Sequence, residues 1–186
     1  YSWPLTLDIR DGNYDAYFGG SVGDGPIDVY RVRTDDPENW TQEPSRVFRG
    51  GSDGAWDDEG FVEMSVVELD GVEYMFYVGF GEMISQGDIW YVDRSFVGLA
   101  RKGPDDDAWS RVHDDPLPLA MTANGDVNMV AARVVGPRIH LWVQDSYGGM
   151  GGGGESGIGY FLYCPNPEDC EQAPDEGDDA ELAPAD

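Results

Sequence analysis

Basic side chains are scarce in this sequence, and lysine is almost absent. Its 186 residues include 37 Asp and Glu but only 11 Lys and Arg, which gives a formal net charge of -26, and Lys102 is the single lysine. Such a surface repels nucleic-acid phosphates and anionic lipid headgroups, so we expect no nucleic-acid partner. Two interpretations of the acidity stay open: adaptation to high salt, or an acidic secreted protein with an acidic tail.

Cysteine is also scarce. The only two, Cys164 and Cys170, flank a short loop with two prolines that can close into a disulfide. Such a bond indicates an oxidising location: secreted, periplasmic or at the cell surface. Two free thiols are the alternative. A zinc site is not expected, because His113 and His140 are isolated and no further cysteine exists.

Long apolar runs and helical periodicity are both missing. No stretch approaches the roughly 20 apolar residues of a membrane span. No signal peptide is visible, and the sequence begins with Tyr1 rather than Met, so we expect that any leader was removed or never included. Aromatic residues make up 12% of the chain, which is more than a disordered protein contains, so most of it should fold.

Short apolar runs separated by glycine-rich turns recur along the chain. Residues 61–77 can be laid over residues 126–142 without a gap at an offset of 65, which makes the turn glycines Gly71 and Gly136 coincide. A third copy at 11–20 matches with a one-residue slip. Asp-Gly between alternating apolar residues is a strong hairpin signal.

Each hairpin is followed by a variable loop and a third strand. After the first two copies come an acidic turn, a tryptophan and a fourth strand, near 41–48 and 110–117. A four-stranded unit repeated about every 60 residues is typical of a propeller blade, which buries its apolar faces against neighbouring blades. We predict an all-β fold, a β-propeller-like array of four-stranded antiparallel blades, over a β-sandwich.

The blades should occupy residues 1–164, in units at about 5–49, 61–119 and 126–163. About three blades are present, so the array is incomplete. Further blades would come from missing sequence, another chain or another assembly. Residues 165–186 are acidic and poor in large apolar side chains, which predicts a disordered tail.

The second unit suggests a family. Residues 66–79, followed by 97–101 and Trp109, resemble the blades of five-bladed β-propeller glycosidases such as arabinanases, β-xylosidases and β-fructofuranosidases. The resemblance runs over about 5–163. It implies that acids on the innermost strands, which precede the Asp-Gly turns, project into a central funnel. It also implies a carbohydrate partner and two-carboxylate glycoside hydrolysis.

The resemblance implies two catalytic carboxyl groups. Glu63 would be the general acid, because a semi-buried carboxyl can have a raised pKa. Asp126 would be its partner or a transition-state stabiliser. The alternative is that both are solvated rim residues. The sequence departs from the family where Met64 follows Glu63, since the family commonly has proline there, and no aspartate near residues 1–7 matches the family's nucleophile.

Polar and aromatic residues near the same strands are candidate substrate-binding groups. Asn128 aligns with Glu63 at the offset of 65, and exposed aromatics in the loop 81–94 are suited to stacking on a sugar ring. Packing between blades is the alternative for those aromatics. The predicted set is Asn128, Trp90, Tyr91, Asp145 and Tyr147.

The sequence therefore predicts an exported glycosidase-like propeller. The alternatives are a non-catalytic secreted or cell-surface propeller that binds glycan or protein, and a purely structural repeat domain. No cofactor is expected. The acidic runs 57–59 and 105–107 could hold Ca²⁺, but they lack calcium-loop spacing and are interpreted as solvated turns.

Overall fold

The computed structural model confirms an all-β fold of antiparallel sheets. It describes residues 2–21, 25–86, 89–92, 94–119, 127–146 and 156–171. Three main sheets follow one another along the chain, in the order of the predicted units. The fold is that of a partial propeller, with two complete four-stranded blades and three described strands of a third.

The first sheet is a simple meander. Its strands pair in sequence order and are β1 Ser2–Arg10, β2 Asn13–Gly20, β3 Asp28–Thr34 and β4 Ser45–Phe48. Asp11 and Gly12 connect the first two strands with φ of 49° and 78°. Positive φ at both central residues is the geometry of the type I′ hairpin turn, for which the Asp-Gly pair is suited.

The second sheet has the same order, with a hairpin inserted between its second and third strands. Its strands are β5 Gly60–Leu69, β6 Val72–Phe80, β9 Ser95–Lys102 and β10 Ser110–Arg111, and the inserted hairpin consists of β7 Met83–Gln86 and β8 Ile89–Val92. The segment 81–94, predicted as a loop, therefore contains two short strands. The fourth strand is shorter than the predicted 110–117.

The third sheet contains β11 Val127–Val135, β12 Arg138–Ser146 and β13 Ser156–Tyr163. The Cys164–Cys170 disulfide is confirmed. A short helix, α1 Pro167–Glu171, lies in the first part of the segment predicted as a disordered tail, and residues 172–186 lie outside the described residues. Among the described residues, no helix has the length and apolar character that crossing a membrane requires.

Strand pairing corrects the alignment of the second and third hairpins. Equivalent strands end at Leu69 and Val135, which are 66 residues apart rather than 65. Gly71 is the second residue of its turn, whereas Gly136 is the first. The reason is local: Pro137 follows Gly136, and proline's fixed negative φ leaves the positive φ of 58° to the glycine before it.

This shift changes the residue that corresponds to Glu63. Its structural equivalent is Met129, so the predicted alignment of Glu63 with Asn128 is wrong. Asn128 instead matches Val62, and both strands have a β-bulge at that position. Because side chains alternate along a strand, an error of one residue would place a side chain on the opposite face.

The three sheets pack face against face. One apolar core, which includes Phe61 and Tyr77, lies between the first and second sheets, and another, which includes Phe76 and Leu141, lies between the second and third. Strand β5 lies beside both β1 and β11. The strands that precede the tight turns are therefore the inner strands of the array, as predicted.

Candidate active site at the start of the inner strands

The inner strands begin at one end of the array. The Ala132 N–H of β11 donates to Ser65 Oγ of β5 over 3.0 Å. Arg10, the last residue of β1, forms an ion pair with Glu68 near the end of β5. Residues at similar positions along β1, β5 and β11 are thus in contact. The first residues of these three strands therefore lie at the same end of the array, which we call the mouth.

Glu63 lies at the mouth, directly after the bulge of β5. Its side chain is half-buried. Burial raises the pKa of the Glu63 carboxyl, although a hydrogen bond from the Met64 N–H to Oε1, at 3.1 Å, acts in the opposite direction. A raised pKa is the direction of shift that favours a carboxyl group as a general acid.

The backbone places two other predicted residues at the mouth. Asn128 occupies the bulge at the start of β11, and Asp145 pairs with Val127 at the end of β12. The side chain of Asp145 is not among those described. The structure thus brings Glu63, Asn128 and the backbone of Asp145 to the same end of adjacent sheets.

The remaining predicted residues are described partly or not at all. Trp90 and Tyr91 lie on β8 of the inserted hairpin, which follows β6 at the mouth, but their side chains are not described. Asp126 and Tyr147 lie outside the described residues. The catalytic role of Glu63 and the pairing with Asp126 stay predictions.

A buried carboxylate near the mouth was interpreted wrongly from the sequence. Asp57, predicted to lie in a solvated turn, is fully buried. Arg111 forms an ion pair with it: Nη1 donates to Oδ1 at 2.9 Å, and Nη2 lies 2.7 Å from Oδ2. The Tyr77 hydroxyl donates to Oδ2 at 3.0 Å, and the Gly51 N–H donates to Oδ1 at 3.2 Å. We call these four residues the Asp57 cluster.

Aromatic rings enclose the Asp57 cluster. Trp56 stacks on Tyr77 with ring centroids 5.8 Å apart, and the Tyr77 ring lies across Gly98 on the neighbouring strand. Burial and the adjacent Asp57 charge raise the pKa of Tyr77. Because protein donors occupy both oxygens of Asp57, the cluster anchors the loop between β4 and β5 and leaves the carboxylate no free oxygen to serve as a catalytic base.

The sequence contains a weak signal for this cluster. Asp57 directly follows a tryptophan in a glycine-rich loop, whereas the other acidic run, 105–107, is exposed as predicted. Across the described residues, no three His, Cys, Asp or Glu side chains converge as a metal site would require. Binding of Ca²⁺ stays an untested expectation.

Comparison with known proteins places this architecture among solved glycosidase structures. A family 117 glycoside hydrolase of the marine bacterium Zobellia galactanivorans superposes with a TM-score of 0.65 at 15% identity, over 86% of this chain and 51% of that one. A family 32 β-fructofuranosidase of Bombyx mori gives a TM-score of 0.55 at 10% identity, over 85% of this chain and 32% of that one. A sucrose-6-phosphate hydrolase of Lactobacillus gasseri gives a TM-score of 0.55 at 12% identity, over 86% of this chain and 32% of that one.

These similarities establish the fold as that of a glycosidase-like propeller. The chain spans about half the length of the family 117 enzyme and about a third of the other two. No protein-family model and no curated protein matches the sequence. At identities of 10–15%, the comparison supports the architecture and leaves the chemistry to be argued from the residues at the mouth.

Proposed function

We propose that this protein is an exported glycosidase-like propeller that hydrolyses a glycosidic bond at the mouth of its array. The observation that carries the proposal is the position of Glu63, a half-buried carboxyl at the mouth on an inner strand, where burial raises its pKa. The architecture adds support, because the similar solved structures include glycoside hydrolases with the same arrangement of sheets.

In the proposed reaction, Glu63 donates its proton to the glycosidic oxygen as the bond to the anomeric carbon breaks. Asp126 acts on the other side of the sugar, as a base that activates water, as a nucleophile or as a stabiliser of positive charge. Carboxyl groups about 5–5.5 Å apart give retention, and about 6.5–9.5 Å apart give inversion. The proposed substrate-binding groups are Asn128, Trp90, Tyr91, Asp145 and Tyr147.

A non-catalytic propeller that binds glycan or protein is the second candidate. Two observations favour it: the chain spans only part of its structural neighbours, and Met64 stands where the resembling family commonly has proline. In either case we propose that further blades, from a longer sequence or another chain, complete the funnel.

We propose that the protein works outside the cytoplasm, in a secreted, periplasmic or cell-surface location. The Cys164–Cys170 disulfide supports this, because such bonds persist mainly in oxidising compartments.

The hydrolysis proposal is tested by a screen of aryl glycosides and plant oligosaccharides, at low and high salt, with wild-type protein and Glu63→Gln. Loss of the acid should lower kcat by about 10²–10⁴-fold. The loss should be smaller for aryl glycosides whose leaving group needs no protonation. Wild-type activity should fall as pH rises through the raised pKa of Glu63, because the acid loses its proton, and the variant should lack this decline.

Glu59→Gln is the matched control, because Glu59 is an exposed carboxyl directly before β5. Its activity should equal that of the wild type. Activity that Glu63→Gln leaves intact would exclude Glu63 as the acid while keeping the enzyme. Folded wild-type protein that hydrolyses none of the substrates would favour the second candidate, with Trp90 and Tyr91 as the next positions to substitute.

A further inference from the structure

A separate cavity lies at the outer rim, between the fourth strands of the first and second sheets. It has a volume of about 330 Å³ and is lined by Arg46, Val47, Phe48, Arg49, Trp109 and Arg111. We call it the rim cavity. Its volume lies at the lower end of the range for small-molecule sites, about 300–1,000 Å³, so a single sugar ring or a smaller group is an appropriate occupant.

The rim cavity concentrates positive charge in a very acidic protein. Three of the chain's 11 basic side chains line it, and its lining includes no carboxylate. Remote carboxylates are largely screened, since the Debye length at physiological ionic strength is about 8 Å. A ligand in the cavity would therefore experience mainly the nearby guanidinium groups.

Neighbouring carboxylates only partly neutralise these guanidiniums. Asp28 forms ion pairs with two of them, with Oδ2 3.0 Å from Arg46 Nη1 and Oδ1 3.6 Å from Arg49 Nε. Asp57 forms an ion pair with Arg111. Asp114 adds a further negative charge near Arg111. Among the described ion pairs, Arg46 and Arg49 share the single carboxylate of Asp28. Arg46 and Arg49 are also more than half exposed, at 53% and 62% of their side chains, so their donors can reach a ligand.

The floor of the cavity is apolar. Phe48 and Trp109 are each 7% exposed and belong to the core between the first two sheets. Guanidinium groups donate paired hydrogen bonds to planar or tetrahedral oxyanions, and a flat apolar floor accommodates the carbon skeleton of a ring. We propose that the rim cavity binds an oxyanion, either free or carried as a sulfate or carboxylate group on a small saccharide.

This proposal does not depend on Glu63 or on hydrolysis. Its test is calorimetric titration of the full chain with sodium sulfate, against sodium chloride at equal ionic strength. Saturable sulfate binding is expected. Arg49→Gln should weaken it by about tenfold, since a hydrogen bond to a charged group contributes that order of affinity. Arg46→Gln is a second variant with the same expected direction.

Arg133→Gln is the matched control, because Arg133 is exposed on β11 of the third sheet and the change in net charge is identical. Its affinity for sulfate should equal that of the wild type. Absence of saturable binding, or equal weakening in Arg49→Gln and Arg133→Gln, would overturn the proposal.

Two further titrations identify the source of the oxyanion. Glucose 6-sulfate that binds at least tenfold more tightly than inorganic sulfate would show that the cavity recognises a sulfated saccharide, whereas equal affinities would show a site for the free anion. Neutral glucose should not bind. If glucose bound as tightly as its sulfate ester, the guanidiniums would not be the recognition element and the proposal would fail.

Discussion

Removing the buried carboxylate of the Asp57 cluster should destabilise the protein strongly. In Asp57→Ala, the Arg111 guanidinium, whose side chain is only 16% exposed, loses its ionic partner, and the donors of Tyr77 and Gly51 lose their acceptor. Breaking a buried ion pair from one side costs about 3–5 kcal/mol, because the remaining charge is left in a low-dielectric environment. Whole domains have free energies of unfolding of only about 5–15 kcal/mol.

The assay is urea denaturation followed by tryptophan fluorescence. With a urea m-value of about 1–3 kcal/mol/M, a loss of about 3–5 kcal/mol should lower the midpoint of Asp57→Ala by about 1–5 M. Asp105→Ala is the matched control, because Asp105 is an exposed carboxylate of the other acidic run. Its free energy of unfolding should stay within about 0.5 kcal/mol of that of the wild type.

A double variant separates loss of the charge pair from loss of packing. Asp57→Ala combined with Arg111→Met should be more stable than Asp57→Ala alone, because no unpaired charge stays buried. If Asp57→Ala lowered the free energy of unfolding by less than about 1 kcal/mol, the Asp57 cluster would not anchor the loop between β4 and β5 as its contacts indicate.

Two other predictions concern the tyrosines of the first core. Gly98→Ala should lower the urea midpoint, because an added Cβ would lie 2.2 Å from Cζ of Tyr77, and overpacking of this kind costs about 1–3 kcal/mol; an unchanged midpoint would show that the ring does not lie across Gly98. Burial, together with the charges of Glu73 and Asp15, raises the pKa of Tyr17 to about 12. The unfolded chain releases this proton near pH 10, so the stabilising contribution of Tyr17 is complete below pH 10 and is lost as pH rises through about 12. Denaturation curves between pH 9 and 12 should show that the free energy of unfolding falls less with rising pH in Tyr17→Phe than in the wild type. Equal falls would refute the raised pKa of Tyr17.

Local signals in the sequence were sufficient to predict the sheets. Asp-Gly pairs define two tight turns, and alternating apolar residues around them define the inner hairpins, so the antiparallel blades and their order followed directly. The disulfide was predictable for a similar reason, since Cys164 and Cys170 are close in sequence. These features depend on neighbouring residues and therefore leave a readable pattern.

The register of the third hairpin and the Asp57 cluster depend on contacts that the pattern does not contain. Matching glycine with glycine gave an offset of 65, although the backbone requirement of Gly136 before Pro137 sets it at 66. Asp57 resembled other surface acids, because its partner Arg111 lies 54 residues away in sequence. At the mouth, the sequence identified Glu63 correctly as an inner-strand acid but paired it with the wrong position of β11.

Burial of the second sheet on both faces should determine the order in which the protein loses structure. The first and third sheets each cover one of its faces, and residues 74–80 of β6 are all buried. In arrays of repeats, each unit is stabilised by its neighbours, so in this 186-residue chain, without the further blades proposed above, the first and third sheets should open at lower free energy than the second. In native-state hydrogen exchange, amides of β3 and β13 should therefore exchange through partial opening, while those of β6 should exchange only when the whole array unfolds.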